Sequence, residues 1–249
     1  MKRALLIALI AFAPQLLAES VIPAGTILPV ELNSSLQSQK SRSGQLITGR
    51  IMQDVPLPNG NKIHAGSKVI GHVLDAKPAG KGAGGQISLR FDTLIAGGQR
   101  IPLTANLRAL ASMMNVSEAQ VPETGPDRGT SEYSWTTDQI GGEIDYRGEA
   151  VFHGAHMVGN SVADGVLAPV SSQRGTKCRG AVQGNHESQA LWVFSSDACG
   201  LYGFPDVTLT HAGRTEPVGA IILQSNKGDL KIRAGSGMLL RVDNKNPAR

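Results

Sequence analysis

His153-Gly154-Ala155-His156 places two imidazoles three residues apart, and imidazole is the commonest metal ligand among side chains. A divalent ion held there would draw its remaining donors from Glu149, Asp164 or His186. On a strand this spacing points the two rings to opposite faces, so a turn has to bring them together. The plainer reading is a pair of polar residues at a strand end. No His-Glu-x-x-His helix motif is present to favour a metal. His153 and His156 are therefore weak metal candidates, and no cofactor is expected.

Ser195-Ser196-Asp197-Ala198-Cys199-Gly200, with His186 and His211, contains the residue types of a hydrolytic triad, yet the elbow sequence Gly-x-Ser-x-Gly is absent. No catalytic residue is assigned on this basis. The surrounding segment reads better as a packed corner in which Trp192, Phe194, Tyr202 and Phe204 supply aromatic bulk. Gly80-Lys81-Gly82-Ala83-Gly84-Gly85 resembles a phosphate cradle only superficially. A P-loop lysine is followed by Ser or Thr and opens a helix, whereas here a strand follows, which makes this stretch a hairpin connection.

The N-terminus fixes the expected compartment. Lys2 and Arg3 precede the apolar run Ala4 to Ala13, and Leu16-Leu17-Ala18 leads into Glu19, the pattern of a cleavable secretory signal over residues 1–18. The run is too short for a membrane helix, which needs about 20 apolar residues. No later segment is long and apolar enough either, so no membrane helix is expected in the mature chain. In an oxidising compartment the two cysteines, Cys178 and Cys199, are expected to form a disulfide. The formal charge of +4 includes Lys2 and Arg3; once they leave, no basic run remains to bind phosphates, and nucleic acid is excluded as a partner.

Thirty glycines, thirteen prolines and short apolar runs between turn residues predict an all-β chain. Strands are expected at 26–32, 45–53, 68–76, 86–94, 100–107, 149–153, 190–194, 207–211, 219–224, 230–233 and 238–242. Only 106–116 has the spacing of a short helix. The pattern Ile-x-Ala-Gly-Ser/Thr occurs at 22–26, 63–67 and 232–236, each time ahead of a strand. Gly25, Gly66 and Gly235 would give these segments a recurring tight turn. Unequal spacing rules out a solenoid. The third copy instead predicts that the last strand returns to an N-terminal module of residues 19–110 plus 228–249, with an inserted β-rich lobe at 111–227 that carries the disulfide. The polar stretch 117–138 is the best linker.

Ile22-Pro23-Ala24-Gly25-Thr26, Gly49-Arg50-Ile51 with Asp54-Val55, Ile63-His64-Ala65-Gly66-Ser67-Lys68-Val69-Ile70-Gly71, and Leu89-Arg90-Phe91-Asp92-Thr93-Leu94-Ile95 with Gly97-Gly98-Gln99-Arg100-Ile101-Pro102-Leu103 together resemble the C-terminal β domain of TrbI-type conjugation proteins. These belong to the core of type IV secretion systems. The resemblance covers about residues 22–104 and implies a β-barrel-like or sandwich module. The cytoplasmic tail, membrane helix and proline-rich stretch usual in that family have no counterpart in this sequence. The leading expectation is a non-enzymatic, exported envelope protein with a structural or assembly role, linked to a secretion or conjugation apparatus. It would be periplasmic, outer-envelope associated or secreted, with envelope proteins or its own copies as partners. The alternatives are a secreted hydrolase with its site in the inserted lobe, and a carbohydrate-binding module, for which ten aromatic residues leave few stacking rings.

Overall fold

Buried and more exposed side chains alternate along several apolar segments, others are buried throughout, and the chain pairs both kinds as strands. The computed structural model describes residues 21–121, 123–124, 129, 131, 134–147, 149–171 and 186–243. It is all-β apart from one short helix. The first nine strands are β1 (Ile27–Leu32), β2 (Leu36–Gln37), β3 (Leu46–Ile51), β4 (Val55–Pro56), β5 (Lys62–Ile63), β6 (Lys68–Lys77), β7 (Gln86–Ala96), β8 (Gln99–Pro102) and β9 (Ala105–Ala111). Helix α1 (Met113–Ala119) precedes β10 (Ser134–Gln139), β11 (Gly142–Arg147), β12 (Ala150–His153), β13 (His156–Val162), β14 (Gly165–Ala168) and β15 (Gln189–Ala190). Last come β16 (Gly200–Tyr202), β17 (Val207–Ala212), β18 (Ile221–Ser225), β19 (Lys231–Ile232) and β20 (Gly237–Val242).

A ten-stranded sheet runs in the order β16-β9-β20-β1-β3-β6-β7-β18-β17, with β8 beside β7. It curls into a half-barrel. One of its faces lines the larger apolar core, in which Val30, Leu32, Ile47, Leu89, Phe91, Leu107 and Leu240 are almost wholly buried. A second sheet, β10-β11-β12-β13-β14-β15, is an antiparallel meander. Ile144, Val151, Val166 and Ala168 of this meander share a second core with Ile27, Ala109 and Leu239 of the curled sheet. The central strands β1, β9 and β20 are thus covered on both faces.

The three Ile-x-Ala-Gly-Ser/Thr segments form one repeated device. Each closes a tight turn, with Thr26 N–H donating to Pro23 C=O, Ser67 N–H to His64 C=O and Ser236 N–H to Arg233 C=O. Gly25, Gly66 and Gly235 take φ of 89°, 84° and 84°, the left-handed region that side chains with a Cβ avoid. Each glycine N–H then donates to the last residue of a neighbouring strand: Gly25 to Val242, Gly66 to Ile51 and Gly235 to Leu32. The same three strand ends donate back, Val242 N–H to Thr26 C=O, Ile51 N–H to Ser67 C=O and Leu32 N–H to Ser236 C=O. Strands β1 and β20 are consequently hooked to each other at both ends, and β6 is hooked to β3.

Polar side chains fasten the meander to the curled sheet. Gln53, fully buried, donates from Nε2 to Val166 C=O and accepts Trp192 N–H at Oε1. Gln189 Oε1 accepts Ile27 N–H at 2.9 Å. Arg108, in the middle of β9 and fully buried, donates to the carbonyls of Ser171 and Ser196.

Several sequence expectations change. The stretch 106–116 is not one helix: β9 runs through Ala111, and α1 starts after its N-cap Ser112. Because β9 is buried at every position, it lacks the alternation that marks a one-sided strand. The expected strand 100–107 is two, β8 and β9, separated at Leu103 and Thr104. Of the expected strand 190–194 only Ala190 lies in a strand, at the end of β15; Trp192 has φ 53° and the chain turns there. The lobe boundary also moves. The meander spans 134–190, whereas β16, β17 and β18, assigned to the lobe on sequence, pair within the curled sheet. Strand β20 pairs with β1 and β9. Residues 1–18, with their expected signal, and Cys178 lie outside the described residues.

A Cβ on Gly66 would meet open space, while one on Gly235 would lie 2.9 Å from Met113 Cγ. Gly66→Ala should therefore cost roughly 1–2 kcal/mol from backbone conformation alone, and Gly235→Ala more. Urea unfolding of the two variants measures both, and a smaller loss for Gly235→Ala would contradict the hook assignment.

Candidate functional site

The most promising concavity forms where the end of α1 faces the meander. It is a cleft of about 370 Å³ whose lining includes Gln120 from the helix end, Thr137 and Gln139 from β10, Tyr146 from β11, and Ser161, Asp164 and Gly165 around the β13–β14 turn. Met52 and Trp192 complete the wall on the side of the curled sheet. Alternation along β10 turns Thr137 and Gln139 to the same face. Both are buried, 7% and 4% exposed.

Tyr146 stands at the centre of this polar group. Gln139 Nε2 donates to its phenolic oxygen at 2.9 Å. Burial pushes the phenol above its ordinary pKa, and the neighbouring Thr137 and Gln139 side chains offset part of that rise. Among the described residues, Gln139 Oε1 has no hydrogen-bond partner and Thr137 Oγ1 has none of good geometry. The opposite wall is held in uncommon conformations: Asp164 and Trp192 have φ of 65° and 53°, the two non-glycine residues with positive φ among those described. Trp192 is kept there by its hydrogen bond to Gln53. Gly165 leaves no room for a side chain, since a Cβ would sit 2.2 Å from Gln53 Oε1. Backbone strain of this kind gathers at ligand sites.

The sequence candidates fall elsewhere. His153 and His156 flank the two-residue turn between β12 and β13 and stand directly opposite each other. The turn that sequence reasoning required is therefore present, and cross-strand partners share a face. Among the described residues, no group of three His, Cys, Asp or Glu side chains gathers to hold a metal. His153 instead points Nδ1 toward Asp197 Oδ2 at 3.9 Å. The other Asp197 oxygen accepts a short hydrogen bond from the Ser171 hydroxyl.

Ser195 lies in the same corner. A Cβ on Gly142 would be 3.6 Å from Ser195 Oγ and 3.7 Å from His153 Cε1. Ser195 Oγ is buried and, among the described residues, unpartnered, pressed against Gly141, where a Cβ would lie 2.9 Å from it. A serine sealed in this way offers a substrate no approach. His211, one of the two histidines first considered with Ser195, is engaged instead by Ala220, Gly213 and Thr215, and His186 is exposed. The Gly80–Gly85 segment is a hairpin connection between β6 and β7, closed by the Gly80–Ala83 bridge.

The aromatic corner packs as such. Trp192 and Phe194 meet edge to face with centroids 6.5 Å apart. The Tyr202 hydroxyl accepts Cys199 N–H at 3.0 Å, and burial raises the Tyr202 pKa, with partial relief from the Cys199 backbone and Arg108. Burial lowers the Arg108 pKa, but a guanidinium stays charged throughout the usual pH range. Sequence reasoning missed the cleft because β10 and β11 carry too few apolar residues to announce themselves. The available signal was alternation in Thr137, Gln139 and, across the turn, Tyr146.

No protein-family model matches the chain, and no curated protein matches it. No described helix is long and apolar enough to cross a membrane.

Two of the three tyrosines should ionise above the usual phenol value of about 10. A folded-state pKa raised above the unfolded one gives stability that is complete below about pH 10 and is lost as pH rises through the folded value. Alkaline absorbance titration checks this: Tyr146→Phe should remove one late-ionising group. Three phenols titrating together near pH 10 in the folded protein would contradict it.

Proposed function

We propose that this chain is an exported β-domain protein of the bacterial envelope that works by assembly rather than by chemistry. The observation that carries the reading is the outer side of β17. Short strands end the sheets at β15 and β16, with two and three residues. Strand β10 has its Thr136 backbone engaged by Glu123 and Thr124. Strand β17 is six residues long, Val-Thr-Leu-Thr-His-Ala, without Lys, Arg, Asp or Glu. Among the described residues it pairs with β18 on one side and with no strand on the other. An uncharged strand edge is a template for adding a strand from another chain.

The resemblance of residues 22–104 to the TrbI-type β domain supports the same reading and points to a secretion or conjugation apparatus as its setting. The signal expected at 1–18 supports an envelope location. An envelope partner or a second copy of the chain would complete the β17 edge, and no nucleic acid is involved.

A photo-crosslinking residue at position 210, which is exposed, should capture a specific envelope protein or a second copy in cells. A charged residue blunts an edge, so Thr208→Lys should abolish the capture and leave unfolding unchanged within about 0.5 kcal/mol. Absence of any specific product, or capture that survives Thr208→Lys, would contradict the proposal.

A further inference from the structure

We infer that two bare sheet faces of opposite charge dock against each other between copies of this chain, head to tail. The contact is independent of the β17 edge. Residues 36–102 carry nine Lys and Arg against three Asp, whereas 113–171 carry nine Asp and Glu against two Arg. Strand register gathers part of each set on one face. Arg50 on β3 stands opposite Lys68 on β6, Lys68 opposite Ile95 on β7, and Ile95 opposite Arg100 on β8. Cross-strand partners share a face, here the one turned away from the larger core, since Ile51, Val69 and Leu94 beside them point into it. A second row on this face runs from Leu46 through His72 to Arg90. Arg50, Lys68, Arg90 and Arg100 are exposed, and Leu46 is 51% exposed. Glu31 engages Arg50, and Asp92 engages His72. Among the described residues Lys68, Arg90 and Arg100 have no carboxylate partner.

The outer face of the meander carries the other sign. Thr136, Asp145, Phe152 and Met157 form a row across β10, β11, β12 and β13, on the side away from the buried Ile144 and Val151. Asp138 is exposed on the same side, and Glu143 holds the register position opposite it. Like charges directly opposite each other are unfavourable, and a cation from outside relieves them. Arg147 is tied to Asp145 at 3.5 Å and lies 4.4 Å over the Phe152 ring, so it does not neutralise Asp138. Met157 is 57% exposed. Each row thus crosses four strands, about 14 Å at the usual strand spacing. Each face also sets one exposed apolar side chain, Leu46 or Met157, beside charge of one sign. The occupant is a second copy because one chain supplies both complementary surfaces. Either face pressed against its own copy would bring like charges together, so the contact is heterologous and propagates from copy to copy.

Sedimentation velocity of the mature chain is the test. At about 0.02 M salt the sedimentation coefficient should rise with concentration beyond that of a dimer, and at about 1 M salt, where the screening length is about 3 Å, it should return to that of the monomer. The double variant Lys68→Glu, Arg100→Glu should stay monomeric at low salt, and so should Asp138→Lys, Glu143→Lys. Mixed in equal amounts the two should associate again, because each supplies the face that the other has lost. Met157→Lys is a second lesion on the meander face, at an exposed position, and should weaken association about tenfold. Thr208→Lys should associate like the unaltered chain, which separates this contact from the β17 edge. A chain that is monomeric at low salt, association that persists in either double variant alone, a mixture that stays monomeric, or association abolished by Thr208→Lys would each overturn the inference. So would a chain that remains monomeric while binding phosphatidylglycerol vesicles, since the basic face would then meet lipid.

Discussion

The reciprocal pairing of two strands from opposite ends of the chain, β1 and β20, is the constraint on which the rest of this structure rests. Five residue pairs join them, from Ile27 with Arg241 to Glu31 with Gly237. At each end a left-handed glycine turn gives one hydrogen bond to the partner strand and takes one back. Such a non-local pairing closes a long loop, whose entropic cost grows only slowly with length. Closing it aligns β9 and β3 on either side and creates a surface with two usable faces. One face builds the larger core; the other, through Ile27, Ala109 and Leu239, receives the meander.

The meander depends on that second face. Its own apolar residues are few, and β13 is mostly half-exposed or exposed. A sheet of that kind gains its stability by packing on another element. Gln53, Gln189 and Arg108 set its position by satisfying backbone groups that packing would otherwise bury unpaired. The Gln53 contact also reaches Trp192, so the bond that fastens the lobe shapes the cleft wall. Fold and candidate ligand site are thus coupled through a single buried amide.

The sequence made the all-β class legible, because glycine and proline punctuate short alternating runs. The three shared turns were legible too, since their Ala-Gly-Ser/Thr grammar is local chemistry. Where strands are buried on both faces, as at β9, or weakly apolar, as along β10 and β13, periodicity carries little information. Arg108 reads as a surface charge until Ser171 and Ser196 are brought beside it from a distant part of the chain. The cleft was hidden for the same reason. Thr137, Gln139, Ser161 and Trp192 are ordinary residues in sequence, and only the fold brings them to one cleft. His153 and Ser195 show the converse, for residue types that suggested chemistry lie in one corner where Ser195 is buried and His153 is exposed beside Asp197.

Native-state hydrogen exchange on a chain ending at Gly228 tests the central role of β20 most directly. The account predicts that amides of β1 and β9 lose their protection, and that the meander strands β11, β12 and β14 lose theirs with them, since the face they rest on is gone. Protection across β1, β9 and the meander that matches the full-length protein would contradict it.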